Sequence, residues 1–118
     1  LTEWNCASGE IYEKMKPLFE KALHNKAITA WVMANDFSAT IAFDYLKERS
    51  IRVPEDIAII SFDNTIDAME YQLTSYDFNN QGIIALILRY ILAPHTFKSG
   101  SANRCLEVDG NLVVRRSC

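Results

Sequence analysis

The sequence predicts an α/β fold built on a parallel sheet that is flanked by helices. Two short apolar runs, at residues 28–34 and 57–62, are separated by a helical pattern at 37–49, and the order strand, helix, strand is typical of a βαβ unit. The second run reads IAIISF and is nearly continuous in apolar residues, which indicates a strand whose two faces are both covered. A chain of 118 residues suits one domain or part of one.

The first helix is predicted over residues 8–24. Its apolar residues recur at spacings of three and four and form one stripe; they are Ile11, Met15, Leu18, Phe19, Ala22 and Leu23. Ser8 is a candidate N-cap for this helix. Pro17 lacks a backbone donor, so we expect a kink there or the start of a second helix.

The middle of the chain continues the alternation of strands and helices. Asn35 and Asp36 follow the first strand, and Asp36 is a plausible N-cap for the helix at 37–49. After the second strand, residues 73–76, LTSY, are predicted to form another short strand.

The last third of the chain holds a helix and a predicted hairpin. The helix, residues 80–92, is apolar around most of its circumference, so we expect it to be buried on more than one side. Residues 93–104 are predicted to be a loop. Residues 105–116 predict two short strands around Asp109-Gly110-Asn111, a favourable hairpin turn sequence.

The charge balance argues against a nucleic-acid surface in this part of the protein. The formal net charge is -3, whereas phosphate binding requires clustered Lys and Arg. Arg115 and Arg116 are too few to form a patch, and we expect them to be a solvated tail. The longest apolar run, at 83–92, is about half the length needed to span a bilayer. These observations predict a protein that is not inserted in a membrane.

The cysteines and histidines give no sign of a disulfide framework, a metal site or a cofactor. Three widely spaced cysteines fit reduced thiols in a cytoplasmic protein; they are Cys6, Cys105 and Cys118. The two histidines lie far apart in the sequence and suggest neither a zinc site nor a catalytic triad. Because the chain starts at Leu1, we expect it to be a piece of a longer protein.

Polar residues follow two strands that are predicted to be neighbours in the sheet. Asn35 and Asp36 come after the first strand, and Asp63 and Asn64 after the second. Ligands of open α/β sheets bind beyond the carboxyl ends of the strands, where a carboxylate and an amide can bind hydroxyl groups. Trp4, just before the first helix, can stack on the apolar side of a sugar ring or on a base.

Each of these residues also has an ordinary structural interpretation. Asp36 suits a helix cap, Asn35 a turn, and Asp63 a loop that its own side chain closes. Trp4 equally suits packing in a core or an interface. Taken alone, these residues do not identify a function.

Longer stretches of the sequence resemble the LacI/GalR family of bacterial transcription regulators. Residues 51–64, IRVPEDIAIISFDN, closely resemble a family stretch of the form Gly-Ile-x-Val-Pro-Glu-Asp-Ile-x-Val-x-Gly-Phe-Asp-Asp, and residues 33–44, MANDFSATIAFD, resemble the family's Asn-Asp followed by an Ala-rich helix. Residues 73–75 stand where the family has Leu-Thr-Thr, and residues 112–115 read LVVR as the family does. The resemblance runs from about residue 30 to the C-terminus.

The resemblance implies a fold and a function. Residues 1–118 would be the C-terminal portion of a type I periplasmic-binding-protein-like effector and dimerisation domain, an incomplete fragment without the first lobe and the DNA-binding head. Asn35 and Asp63 would hydrogen-bond a small effector, commonly a sugar, and Trp4 would stack on it. The effector would control DNA binding by closing the cleft of a cytoplasmic homodimer, in which DNA touches only the missing head.

The chain departs from the family pattern at three positions and lacks a partner for one helix. Ser50 and Ser61 stand where the family has Gly, and Ile41 stands where Gly is common on a helix near the dimer interface. In the family, the helix matching residues 80–92 packs on the first lobe. In this fragment we expect the helix to pack on its own sheet instead or to be exchanged with another copy.

Two other functions are alternatives to that of a transcription regulator. A periplasmic-type sugar-binding protein for transport or chemoreception has the same fold, but the unpaired cysteines and the Val-Pro-Glu-Asp stretch favour a regulator. An enzyme using Asp36 and Asp63 with Mg²⁺ is a weaker hypothesis, because no nucleophile, phosphate loop or general base accompanies the two carboxylates. We therefore expect a binding protein and no enzyme.

Overall fold

The fold is an alternation of helices and strands. A computed structural model describes the backbone of residues 2–97 and 106–118, and the side chains of residues 9–97 and 106–118. Within these residues the elements are α1 (Thr2–His24), β1 (Ala30–Val32), α2 (Asp36–Glu48), β2 (Ala58–Phe62), α3 (Ile66–Glu70), β3 (Thr74–Asp77), α4 (Asn80–Leu92), a 3-10 turn (Pro94–Thr96) and β4 (Asn111–Val113).

The strands form one sheet in the order β1-β2-β3-β4. The first three strands are parallel, and β4 pairs antiparallel with β3. The register places Val32 opposite Ile60 and Ser61 opposite Ser75. The predicted α/β class, with a mostly parallel sheet flanked by helices, is confirmed.

The core lies between one face of the sheet and the helices α1 and α2. Ile59 is fully buried on this face, and the ring of Phe19 on α1 stacks on Trp31 of β1 with 5.1 Å between centroids. The opposite face is more open, since Val32 is 69% exposed and Val114 is 70% exposed. In β2, Ile59 and Ser61 are fully buried on the core face, whereas Ile60 and Phe62 on the other face are half-buried, so the prediction that both faces of this strand are covered holds fully for one face.

The first helix differs from its prediction at two points. It begins at Thr2, so Ser8 is not its N-cap, and it runs to His24 as one element that includes Pro17. Four residues of the predicted stripe pack on the core, namely Phe19, Met15, Ala22 and Leu23, whereas Ile11 and Leu18 are exposed. The burial of the four offsets the loss of one backbone hydrogen bond at Pro17. The segment after β2, which carried no helical signal, contains the short helix α3.

The predicted C-terminal hairpin is wrong. Residues 106–110 form no strand, and β4 pairs with β3 instead, with Leu112 opposite Tyr76. A Cβ atom on Gly110 would lie 2.4 Å from the carbonyl oxygen of Asp77. The glycine therefore allows a close approach to β3, a long-range contact that the local turn signal did not reveal.

Helix α4 forms where it was predicted but is not buried. Asn79 caps it, with its side chain accepting a hydrogen bond from the Gly82 amide at 3.0 Å. No residue of α4 is buried, and Ile91 and Leu92 are 65% and 78% exposed. The expectation that the helix repacks on its own sheet is therefore wrong in this structure, while its exchange between copies stays a prediction.

Candidate functional site

The first candidate ligand residue, Asn35, ends the segment after β1 and caps α2. Its Oδ1 accepts a hydrogen bond from the Ser38 amide at 2.9 Å, and the Ser38 hydroxyl lies 3.3 Å from the Asn35 amide, which completes a capping box. Asn35, and not the predicted Asp36, is thus the N-cap. Among the described residues the Nδ2 group of Asn35 has no hydrogen-bond partner, so it is available to donate to a ligand.

Asp36 has a different role, because its fully buried carboxylate faces the sheet. Its Oδ1 accepts hydrogen bonds from the hydroxyls of Ser61 and Ser75, both at 2.6 Å. Its Oδ2 accepts from the Thr65 amide at 2.7 Å and from the Thr65 hydroxyl at 3.0 Å. We call Asp36, Ser61, Thr65 and Ser75 the Asp36 cluster. Four donors on one carboxylate satisfy a group that is costly to bury alone.

The Asp36 cluster holds the loop that carries Asp63, the second candidate ligand residue. Asp63 and Asn64 both have positive φ, 99° and 49°, a conformation that costs a non-glycine residue about 1–3 kcal/mol. Three successive amides are tied down. The Asp63 amide donates to the carbonyl of Tyr76 at 2.9 Å, that of Asn64 to Ser75 Oγ at 3.0 Å, and that of Thr65 to Asp36. These bonds support the strained backbone.

The Asp63 side chain itself is exposed and makes no hydrogen bond or ion pair within the described part of the chain. The strand register continued from Val32 and Ile60 brings Asn35 level with Asp63. Asp36 also joins the two segments directly, because Ser61 and Thr65 stand on either side of Asp63 in the sequence. Asn35 and Asp63 therefore lie at the same carboxyl edge of the sheet, as expected from the sequence.

The neighbouring Asn64 is engaged at both ends of its amide. Its Nδ2 donates to Asp77 at 3.0 Å, and its Oδ1 accepts from the Arg115 guanidinium at 2.6 Å. The Asp77 carboxylate accepts hydrogen bonds from the backbone amide of Asn79 and from the side chain of Asn64. Both bonds lower the pKa of Asp77 below its usual value, and the bond from Asn79 has the larger effect. Arg115 also donates to the carbonyl of Leu73 at 2.7 Å. The prediction that Arg115 is a solvated tail residue is therefore wrong.

Three aromatic side chains form a cluster beside this edge, on the other face of the sheet from Ser61 and Ser75. The ring centroids of Phe62 and Phe78 lie 5.9 Å apart in a stacked arrangement, and Tyr76 meets Phe78 edge-on at 5.2 Å. Phe78 is 42% exposed. These rings were not predicted as a group, because the relevant signal is their alternation along two paired strands.

Residues 3–118 match the family of periplasmic binding protein-like domains. The chain belongs to this family. The resemblance to LacI/GalR regulators is confirmed as well, because the similar proteins described next are regulators of that kind.

Three relatives illustrate the similarity of this periplasmic binding protein-like domain to regulators. It is 27% identical over 123 residues to the HTH-type transcriptional regulator LacR of Lactobacillus helveticus and spans 36% of that protein, against 98% of its own length. It superposes on the transcription regulator CcpA of Lactococcus lactis with a TM-score of 0.70 and 29% identity, over 90% of this chain and 39% of that one.

The third relative is a LacI-family sugar-binding transcriptional regulator from Escherichia coli, solved with phosphate. The TM-score is 0.65 and the identity 27%, over 85% of this chain and 36% of that one. The chain thus spans little more than a third of the proteins that it matches. All three relatives are transcriptional regulators.

Trp4, metal ligands and membrane-spanning helices complete the description of the periplasmic binding protein-like domain. The backbone of Trp4 lies in α1, but its side chain is outside the described side chains, so its role as a stacking platform stays a prediction. The described residues contain no group of three or more His, Cys, Asp or Glu side chains placed to hold a metal ion. The helices that the structure describes include none long and apolar enough to cross a membrane.

Proposed function

We propose that this chain is part of the effector-sensing domain of a transcription regulator and that it binds a sugar at the carboxyl edge of its sheet. The observation that carries the proposal is the pair formed by Asn35 and Asp63. Among the described residues, the exposed Asp63 carboxylate has no partner, and the Nδ2 group of Asn35, at the same edge of the sheet, is an unused donor. Trp4 is proposed as the ring that stacks on the ligand.

A sugar suits this pair of side chains chemically. Adjacent hydroxyl groups on a pyranose ring can donate to a carboxylate and accept from an amide at the same time. A hydrogen bond that involves the carboxylate is worth roughly 1.5–3 kcal/mol. The fixed backbone of the Asp63 loop reduces the entropy lost when the ligand is bound.

The rest of the mechanism concerns parts of the protein beyond these residues. The proposal includes a first lobe that closes on the ligand, a homodimer, a DNA-binding head and a cytoplasmic location. Helix α4 is proposed to pack on the first lobe, which is supported by its apolar and exposed side chains. An effector that binds the closed arrangement more tightly shifts the protein toward it and so reorients the paired heads.

A thermal-shift experiment on the full-length protein tests the proposal. The probes are cellobiose, sucrose and glucose, the sugars bound in solved structures of other transcriptional regulators with this fold. We expect one of them to raise the melting temperature of the wild type and to have little effect on Asp63→Ala. Asp67→Ala, which removes another exposed carboxylate four residues away, is the matched control and should respond like the wild type. Equal stabilisation of the wild type and Asp63→Ala refutes the site.

A further inference from the structure

The backbone amides of the Asp63 loop are held by a neighbouring strand and by a buried carboxylate. Asn64 donates its amide to Ser75 Oγ, and the same hydroxyl donates to Asp36 Oδ1 at 2.6 Å. A hydroxyl that donates its single proton in a known direction presents its lone pairs in defined directions as well. The carboxylate of Asp36 therefore orients the acceptor that holds Asn64.

The second bond from Asp36 acts on the other side of the same loop. Its Oδ2 accepts directly from the Thr65 amide at 2.7 Å. Asp63 lies one residue before Asn64, and its backbone φ of 99° falls outside the range that residues other than glycine normally adopt. With the Asp63 amide bound to the carbonyl of Tyr76 at 2.9 Å, the loop is held at the residue that carries the ligand carboxylate and at the two residues after it.

We propose that Asp36 and Ser75 are positioning residues that set the direction of the Asp63 carboxylate. The inference rests on the proposed function, since it assigns a role within the same ligand site. Neither residue needs to touch the ligand, because both act through the backbone of residues 63–65. Asp36 and Ser75 are both fully buried, so neither is exposed to a ligand at this edge.

The chain offers a closely matched control for this role. Ser61 and Ser75 lie opposite each other in the parallel register, are both fully buried, and both donate to Asp36 Oδ1 at 2.6 Å. Only Ser75 also accepts the amide of Asn64. Replacing either serine by alanine removes one equivalent bond to Asp36, but only Ser75→Ala releases the loop. A purely structural role of the cluster would make the two variants equal.

The first experiment measures hydrogen–deuterium exchange of the full-length protein without ligand, on peptides that span residues 60–66. We expect the Asn64 amide to exchange roughly five- to tenfold faster in Ser75→Ala than in Ser61→Ala. The reason is that only Ser75→Ala removes the hydrogen bond that this amide donates to Ser75 Oγ. Ser75→Thr keeps the hydroxyl and should restore the slow exchange. Equal exchange rates in the two alanine variants overturn the inference.

The second experiment titrates the full-length variants with cellobiose, sucrose and glucose by calorimetry. We expect Ser75→Ala to raise the Kd of the sugar that binds by about tenfold, and Ser61→Ala to leave it within about twofold. Ser75→Cys, with a similar volume and a poor acceptor, replaces Ser75→Ala if the alanine variant does not fold. Equal Kd values for the matched pair overturn the inference. If Asp63→Ala binds as tightly as the wild type, the proposed site fails instead, and the exchange experiment still decides the role of Ser75.

Discussion

Replacing Asp36 by alanine should destabilise the protein far more than its single charge suggests. The carboxylate accepts four hydrogen bonds, and the hydroxyls of Ser61 and Ser75 that donate to it are fully buried. Each buried hydroxyl left without an acceptor costs about 1–3 kcal/mol, while the bonds from the more exposed Thr65 can be replaced by water. Removing the carboxylate also removes its desolvation cost. We therefore expect a net loss of about 2–4 kcal/mol, a large part of the ~5–15 kcal/mol that stabilises a typical domain.

Urea unfolding followed by circular dichroism measures this loss. Asp44→Ala on the same helix is the control, because Asp44 is exposed and accepts one bond, from the Tyr71 hydroxyl at 3.0 Å; its loss should stay below about 1 kcal/mol. Asp36→Asn keeps an acceptor for the two serines and should fall between the two. A loss of less than about 1 kcal/mol for Asp36→Ala would refute the reasoning, because the cluster would then contribute no more than a surface contact.

Three further predictions concern the packing and the charges of the described residues. Tyr45→Phe should leave stability unchanged or raise it by up to about 1 kcal/mol in urea unfolding, because the buried Tyr45 hydroxyl has no hydrogen-bond partner among the residues that the structure describes; a loss above that size contradicts this. Gly110→Ala should lower the melting temperature by an amount equivalent to about 1–3 kcal/mol, since the new Cβ would lie 2.4 Å from a backbone carbonyl; an unchanged melting temperature is the contrary result. The Asp56 carboxyl accepts bonds from the Arg52 side chain and amide, which lower its pKa from 3.8 to about 2. Its contribution to stability is therefore present above pH 4 and lost as the pH falls through about 2. An NMR titration should find this midpoint in the wild type and a higher midpoint in Arg52→Ala, still below 3.8 because the backbone amide of residue 52 continues to donate to the carboxylate; the same midpoint in both proteins contradicts the pairing.

The parts of the fold that depend on local pattern were predictable from the sequence. The apolar run at 57–62 and the Asn-Asp pair at 35–36 located two strand ends correctly, because burial of a parallel strand leaves a continuous apolar signature. The edge of the sheet that carries Asn35 and Asp63 followed from that order alone. These predictions needed no knowledge of contacts between distant residues.

The features that were missed or wrong depend on such long-range contacts. Asp36 was predicted to be a helix cap, but its hydrogen-bond partners Ser61 and Ser75 lie 25 and 39 residues away in the sequence. The turn sequence at 109–111 predicted a local hairpin, whereas β4 found its partner in β3. A serine inside a buried apolar strand, as at Ser61, is the one sequence signal that points to a polar cluster, because a buried hydroxyl requires a partner.

The most direct measurement of the central claim is a crystal structure of the full-length protein with the sugar that gives the largest thermal shift. The account predicts an oxygen of the Asp63 carboxylate at about 2.5–3.0 Å from a sugar hydroxyl, with Asn35 Nδ2 donating to the same or an adjacent hydroxyl. A sugar bound elsewhere, with the Asp63 carboxylate still in solvent, would contradict it.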